Sequence, residues 1–226
     1  MRNSGVRLPG WFWVVVLFSL AFASRTFALA RYVTPDEPNW VYRTLNFGAA
    51  LARGDWAGSV QSGHPGVTTM WLGTLGIAVE RALNPASTAE ALSWLSRLDR
   101  LSSENAEAFR HTGVLLDWAR LPVLLVNALG VAGAFLMARR LFGQRVAVLA
   151  AFLLALDPFV AGLGGLLHVD GLLTTFSTLS VLALLNGISP MADGRWQMAI
   201  RHRLSAISHQ PLRGSLCLAH SRGWHC

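Results

Sequence analysis

Charge is scarce in this chain. Asp, Glu, Lys and Arg make up 14% of its 226 residues, where soluble domains carry about 25%, which excludes an ordinary water-soluble fold. Lysine is missing altogether, so the 19 basic residues are all arginine. They are scattered and form no stripe with interleaved aromatics. Nucleic acid is therefore set aside as a partner, in spite of a net charge of +7 and a pI near 11.1. Cysteine is limited to Cys217 and Cys226 near the C-terminus, so the body of the chain gives no reading of redox compartment.

What the chain has in abundance is apolar length: 53% of it is hydrophobic and its mean hydropathy is +0.42. An apolar segment at 11–30 follows Arg2 and Arg7. It reads as a first transmembrane helix, with a signal peptide ending near Ala28-Leu29-Ala30 as the competing reading. A long polar region covers 31–112, and three further apolar stretches follow at 114–138, 146–166 and 171–189. Each is near the roughly 20 residues that a bilayer core requires, the last slightly short. The expected fold is an all-α integral membrane protein, a multi-pass helical bundle with a long first extracytoplasmic loop, ending after about four transmembrane helices. Residues 190–226 break the pattern, holding both cysteines and no long apolar run. They read as the product of a reading-frame slip, and the spacing of Cys217, His220, His225 and Cys226 matches no standard zinc pattern.

Orientation follows from the short basic segments. Arg2 and Arg7 precede the first span, and Arg139, Arg140 and Arg145 fill the turn between the second and third. The positive-inside rule places both in the cytoplasm of a cell whose plasma membrane the chain spans. The long loop and the turn "LHVD" before the fourth span then lie outside. Asp36, Glu37, His64, His168 and Asp170 fall on that one face.

The acid pair sits in "TPDEP" at 34–38, between two prolines. Each proline fixes its own φ and biases the preceding residue toward an extended conformation. Thr34 and Glu37 are expected to be extended, with Asp36 on a stiff display between them. A capping box from Thr34 to Glu37 is a second reading, and a helix from Pro38 ending at Gly54 suits the sequence that follows.

In this order the residues resemble the N-terminal part of glycosyltransferase family 39, relatives of the protein O-mannosyltransferases and of the lipid A aminoarabinose transferase, with the C-type membrane glycosyltransferase fold. The likeness rests on "PDEP" after the first helix and on "HPG" at 64–66, where Gly66 replaces a proline. It rests also on "ARLPVLLVNALGVAGAFLMARRLFG" at 119–143 and "DPFVAGLGGLLHVDGLLTTFSTLSVLALL" at 157–185. Coverage is about 11–189; such enzymes carry more membrane helices and usually a soluble C-terminal region.

The resemblance implies transfer of a sugar from a polyprenyl-phosphate donor to a hydroxyl of an acceptor lipid, glycan or protein on the extracytoplasmic side, among membrane lipids. Such a reaction needs a general base and stabilisation of the departing phosphate. Asp36 is the candidate base, and Glu37 either orients it, acts on it by like-charge proximity, or is itself the base. His64 and His168 are candidate donors to carrier phosphate or acceptor. Asp170 orients a histidine or shares a metal ion with the acid pair; no cofactor is certain and a divalent metal stays open. Arg43, with Arg31 and Arg120, is a candidate phosphate partner.

Plainer roles stand beside these. His64 before Pro65 shapes a turn, Asp170 caps the fourth helix, Arg120 pairs with Asp117 three residues earlier, and Asp157 satisfies backbone groups freed by Pro158. Two other functions compete: a transporter whose ion path uses Asp157 and Asp170, and a membrane fragment without catalysis.

Overall fold

The computed structural model of the protein describes residues 8–27, 29, 32–61, 66–97 and 106–192. All regular structure among them is helical. In chain order the helices are α1 (Gly10–Thr26), α2 (Glu37–Ala52), α3 (Val67–Leu83), α4 (Pro85–Leu95), α5 (Ala106–Phe142), α6 (Gln144–Leu156), α7 (Pro158–Gly164) and α8 (Val169–Ala192). All but the end of α8 belongs to a compact unit that closes at Asn186; the tail from residue 193, with its expected frame slip, lies outside the described residues.

Two helices are long and apolar enough to cross a membrane, within α5 and α8. A third crossing is present if α6 and α7, which meet at 65°, count as one bent span. The apolar α1 is shorter, at 17 residues. Among the described residues the protein is thus all-helical, with the apolar helices of a membrane protein.

Helix α5 is the axis, and every other helix up to α7 packs on it. Around its second half the packing is of small residues. Leu17, Ala21 and Arg25 of α1 recur every four residues on one face, as do Ala147, Ala151 and Ala155 of α6, and all are buried. With Ala128, Val131 and Phe135 of α5, the apolar members of these stripes form one core. Alanine stripes let backbones approach closely, and Ser24 Oγ reaches across to donate to the Ala155 carbonyl at 2.8 Å.

Around the first half of α5 the core is of larger residues. Within the polar region 31–112 lie α2, α3, α4 and the start of α5. Their Trp40, Phe47, Met70, Ile77 and Leu95 close on Leu115, Leu116 and Val123 of α5 and on Leu167 and Leu172 beyond. Buried positions along α2, from Trp40 and Val41 through Thr44 and Phe47 to Ala50, follow the helical period and explain why this segment folds as a helix. It ends as the sequence leads one to expect: Gly54 stands just past the C-cap at φ 69, a left-handed turn that glycine accepts without a Cβ clash.

The third apolar stretch divides at Asp157-Pro158. Pro158 disfavours a helical Asp157, whose ψ is 120. The Asp157 carboxylate accepts from the Val160 N–H at 2.8 Å and so caps α7. This is the plain role that the sequence allowed for Asp157.

The bundle has two recognisable ends. At one, Gln144 at the start of α6 donates to the Leu8 carbonyl before α1 at 3.1 Å, next to the turn that carries Arg139 and Arg140. At the other, the chain leaving α1 meets the turn between α7 and α8.

Candidate functional site

The two neighbouring acids part company in the fold. Glu37 is the first residue of α2 rather than an extended one, and Pro38 occupies the first turn, where a missing N–H leaves no bond unmade. Its side chain points inward and is fully buried. Arg120, buried on α5, donates from Nε to Glu37 Oε1 at 2.7 Å and from Nη2 to Oε2. Oε2 also accepts from the Thr34 N–H at 2.9 Å and lies 3.0 Å from the Thr34 hydroxyl. The Leu167 N–H donates to Oε1 at 3.0 Å. Burial pushes the Glu37 carboxyl up, and the Arg120 hydrogen bond and charge with the Thr34 and Leu167 amides outweigh it, holding it below the usual carboxylate range.

Glu37 is therefore a clamp. It ties the start of α2, the middle of α5 and the turn before α8 into one body. The capping-box reading is met by half: the Glu37 carboxylate reaches back to the Thr34 N–H, while the Glu37 N–H bonds the Thr34 carbonyl at 3.2 Å. Arg120, offered by the sequence as a phosphate partner or a mate for Asp117, is engaged chiefly by Glu37. It also donates to the Tyr32 carbonyl at 2.8 Å and keeps Asp117 at 3.6 Å.

Asp36 stands on the outer side of this clamp, its side chain 74% exposed. Facing it is His168, whose Nε2 lies 3.9 Å from Asp36 Oδ2. The other ring nitrogen, Nδ1, is 3.2 Å from Asp170 Oδ2 and 3.4 Å from the Asp170 N–H. The imidazole thus bridges two carboxylates that are 134 positions apart in the chain. Asp170 lies in the first turn of α8 and engages His168, which takes the place of the helix cap that the sequence offered to Asp170.

Trp40 of α2 packs edge-on against the His168 ring at 5.8 Å, and the Arg43 guanidinium stacks over Trp40 at 4.9 Å. Arg43 is so placed beside the cluster through an aromatic relay. His64 and Arg31 lie outside the described residues, but Gly66, two residues after His64, borders the same cluster. A Cβ there would stand 2.3 Å from the Trp40 ring and 3.2 Å from Val169. Glycine at the position where the resembled family carries proline is what the Trp40 ring requires.

Among the described residues no three His, Cys, Asp or Glu side chains are grouped to hold a metal ion. The arrangement offers instead an exposed carboxylate as proton acceptor and an imidazole as donor, both on a rigid floor. Sequence reading missed the Trp40 packing, and it missed Leu167 as a backbone partner. The first had a signal in the aromatic within "PNWVYR"; a backbone donor has none.

Residues 110–200 match the family model described as dolichyl-phosphate-mannose-protein mannosyltransferase. The likeness to glycosyltransferase family 39 holds over that segment, which carries His168 and Asp170, and it supports a glycosyltransferase of the mannosyltransferase type. No curated protein and no solved structure matches the chain.

Proposed function

We propose that the protein transfers a sugar from a polyprenyl-phosphate donor to an acceptor hydroxyl at the extracytoplasmic face of the plasma membrane, with Asp36 as the general base. The observation that carries this reading is the contrast within the acid pair. One carboxylate is locked in the floor, and its neighbour is exposed beside an imidazole that a third carboxylate holds.

In the reaction, the acceptor oxygen attacks the anomeric carbon while its proton passes to Asp36. The bond from that carbon to the phosphate oxygen breaks, and the polyprenyl phosphate leaves with the electron pair. His168, held at Nδ1 by Asp170, presents Nε2 to the acceptor or to the departing phosphate. Arg43 adds positive charge on the donor side. Glu37 does no proton transfer, because its oxygens are committed to Arg120, Thr34 and Leu167; it preorganises Asp36. The basic turn at Arg139 and Arg140 supports a cytoplasmic N-terminus, and the match over α5 to α8 supports the donor class. Under this reading α1 and the bent α6–α7 pair join α5 and α8 as four spans.

Transfer from a labelled polyprenyl-phosphate mannose to a serine- or threonine-bearing peptide, in liposomes, tests the reading. Asp36→Asn is expected to lower turnover by about 10²–10⁴-fold with an unchanged melting temperature. Retention of turnover in that variant refutes the assignment, as does labelling of cysteines at positions 36 and 170 from opposite sides.

A further inference from the structure

The turn between α5 and α6 gathers charge of one sign. Arg139 and Arg140 close α5, and Arg145 stands in the first turn of α6. No Asp or Glu occurs from residue 118 to residue 156, so neither helix brings an acid near them in sequence. Arg139 is engaged in packing: its guanidinium lies over the Phe135 ring at 5.9 Å, and a Cβ on Gly10 of α1 would collide with its Nη1. Arg140 and Arg145 are exposed, and no hydrogen bond or ion pair holds either among the described residues. The turn that carries them is fixed in place. Gly143 takes a left-handed φ of 80, its N–H bonds the Arg139 carbonyl at 3.1 Å, and Gln144 ties the turn to the chain before α1. Like charges displayed in this way repel each other and favour an anion from outside.

Arg145 also heads a row on α6. Leu149, Phe152 and Leu156 follow it at steps of four, three and four, which keeps all of them on one helical face. They are 61%, 44% and 43% exposed. At 1.5 Å per residue the row runs about 16 Å, which is half of a hydrocarbon core of about 30 Å. A cation above a single-leaflet length of open apolar surface suits a lipid with an anionic head and acyl chains. Trp11 of α1 and Phe142 of α5 stand exposed at the same end, where aromatic side chains suit headgroup depth. Helices α6 and α7 run from this end to the turn of His168, so the row faces the leaflet away from the Asp36 cluster.

We infer that the α5–α6 turn binds an anionic diacyl phospholipid of that opposite leaflet. Arg140 and Arg145 take the phosphodiester, and the exposed row of α6 takes an acyl chain. A zwitterionic lipid brings its own cation, which the two arginines repel; phosphatidylglycerol brings none. The inference goes beyond the transfer reaction and stands whether or not Asp36 is a base.

The test uses the full chain in vesicles of equal parts phosphatidylcholine and phosphatidylglycerol, extracted in mild detergent, with the retained phospholipid counted by mass spectrometry. Phosphatidylglycerol is expected to be retained in preference on the order of 20-fold, about fivefold for each arginine near the lipid surface. Arg140→Gln and Arg145→Gln are each expected to lower the preference about fivefold, and the double variant to abolish it with phosphatidylcholine retention unchanged. Arg53→Gln combined with Arg81→Gln removes the same charge around the first half of α5 and is expected to keep the preference. Inorganic phosphate and glycerol phosphate in excess are expected to displace no lipid, because neither has a chain. Equal retention of the two lipids by the native chain overturns the inference, as does an unchanged preference in the double variant. Loss of preference in the Arg53–Arg81 control overturns it too, by showing an effect of net charge alone. Displacement by either soluble phosphate overturns it in favour of a simple anion site.

Discussion

Two arginines are buried almost equally in two regions of this molecule, and the regions treat them in opposite ways. Around Arg120, where α2 and the turn before α8 close on α5, a carboxylate and a backbone carbonyl answer the guanidinium, and two amides and a hydroxyl complete the carboxylate. Around Arg25, where α1 packs on α5 and the alanine stripe of α6, one nitrogen finds a carbonyl and Nε finds no partner among the described residues. A buried ion pair with its hydrogen bonds complete holds elements in register, whereas a buried charge left open is a cost that a fold retains only with a reason outside its own stability. The first region is built as a floor, and the second leaves a charged nitrogen facing apolar surroundings.

The sharpest way to break this comparison is to remove the answer to Arg120. Glu37→Ala takes away the two closest carboxylate contacts of a fully buried charge, and is expected to cost about 3–5 kcal/mol, read as loss of the folded fraction on thermal melting in detergent. A cost no larger than that of a surface substitution would mean the clamp is not a clamp.

Acid sharpens the same point. Because the folded Glu37 carboxyl is held low, its contribution is fully present above the unfolded value near about 4.3 and is lost as pH falls through the folded value. Melting temperature is expected to drop below that pH in the native chain. Arg120→Met with Glu37→Gln, which removes both charges, is expected to lack this component.

The opposite sign is expected at the other arginine. Arg25→Met removes an unanswered buried group, so stability without added lipid is expected to stay level or to rise by about 1–3 kcal/mol. A loss comparable to that of Glu37→Ala would show that Arg25 is answered within the bundle after all. The smallest expected effect is at Asn127, which joins the two regions by donating to the Gly164 carbonyl at 3.0 Å and accepting from Thr175 Oγ1 at 2.7 Å. Asn127→Leu is expected to cost about 1 kcal/mol in the same melts.

Much of the arrangement was legible in the residues. Apolar length exposed α5 and α8, Gly54 marked the end of α2, and the Asp157-Pro158 pair marked a break with its own cap. The order of "PDEP" and "LHVD" along the chain, with basic turns between, already put Asp36 and His168 at one end of the bundle, and they stand 3.9 Å apart at their nearest ring and carboxylate atoms. Within 31–112 the sequence marked α2 but not α3 (Val67–Leu83), whose apolar residues stand on both faces, Met70 and Ile77 in the core and Trp71 and Leu75 at the surface, so that no single stripe announces it. Asp36 and Glu37 were also inseparable as sequence, since both are acids within one stiff turn.

What composition and order decided is that the chain is helical and rich in apolar spans, because hydrophobic length acts through the solvent and needs no tertiary partner. Which acid is buried, which arginine is answered, and which is left facing a cavity were decided only on packing. Those outcomes depend on the direction of a side chain and on donors brought from residues 83 and 130 positions away.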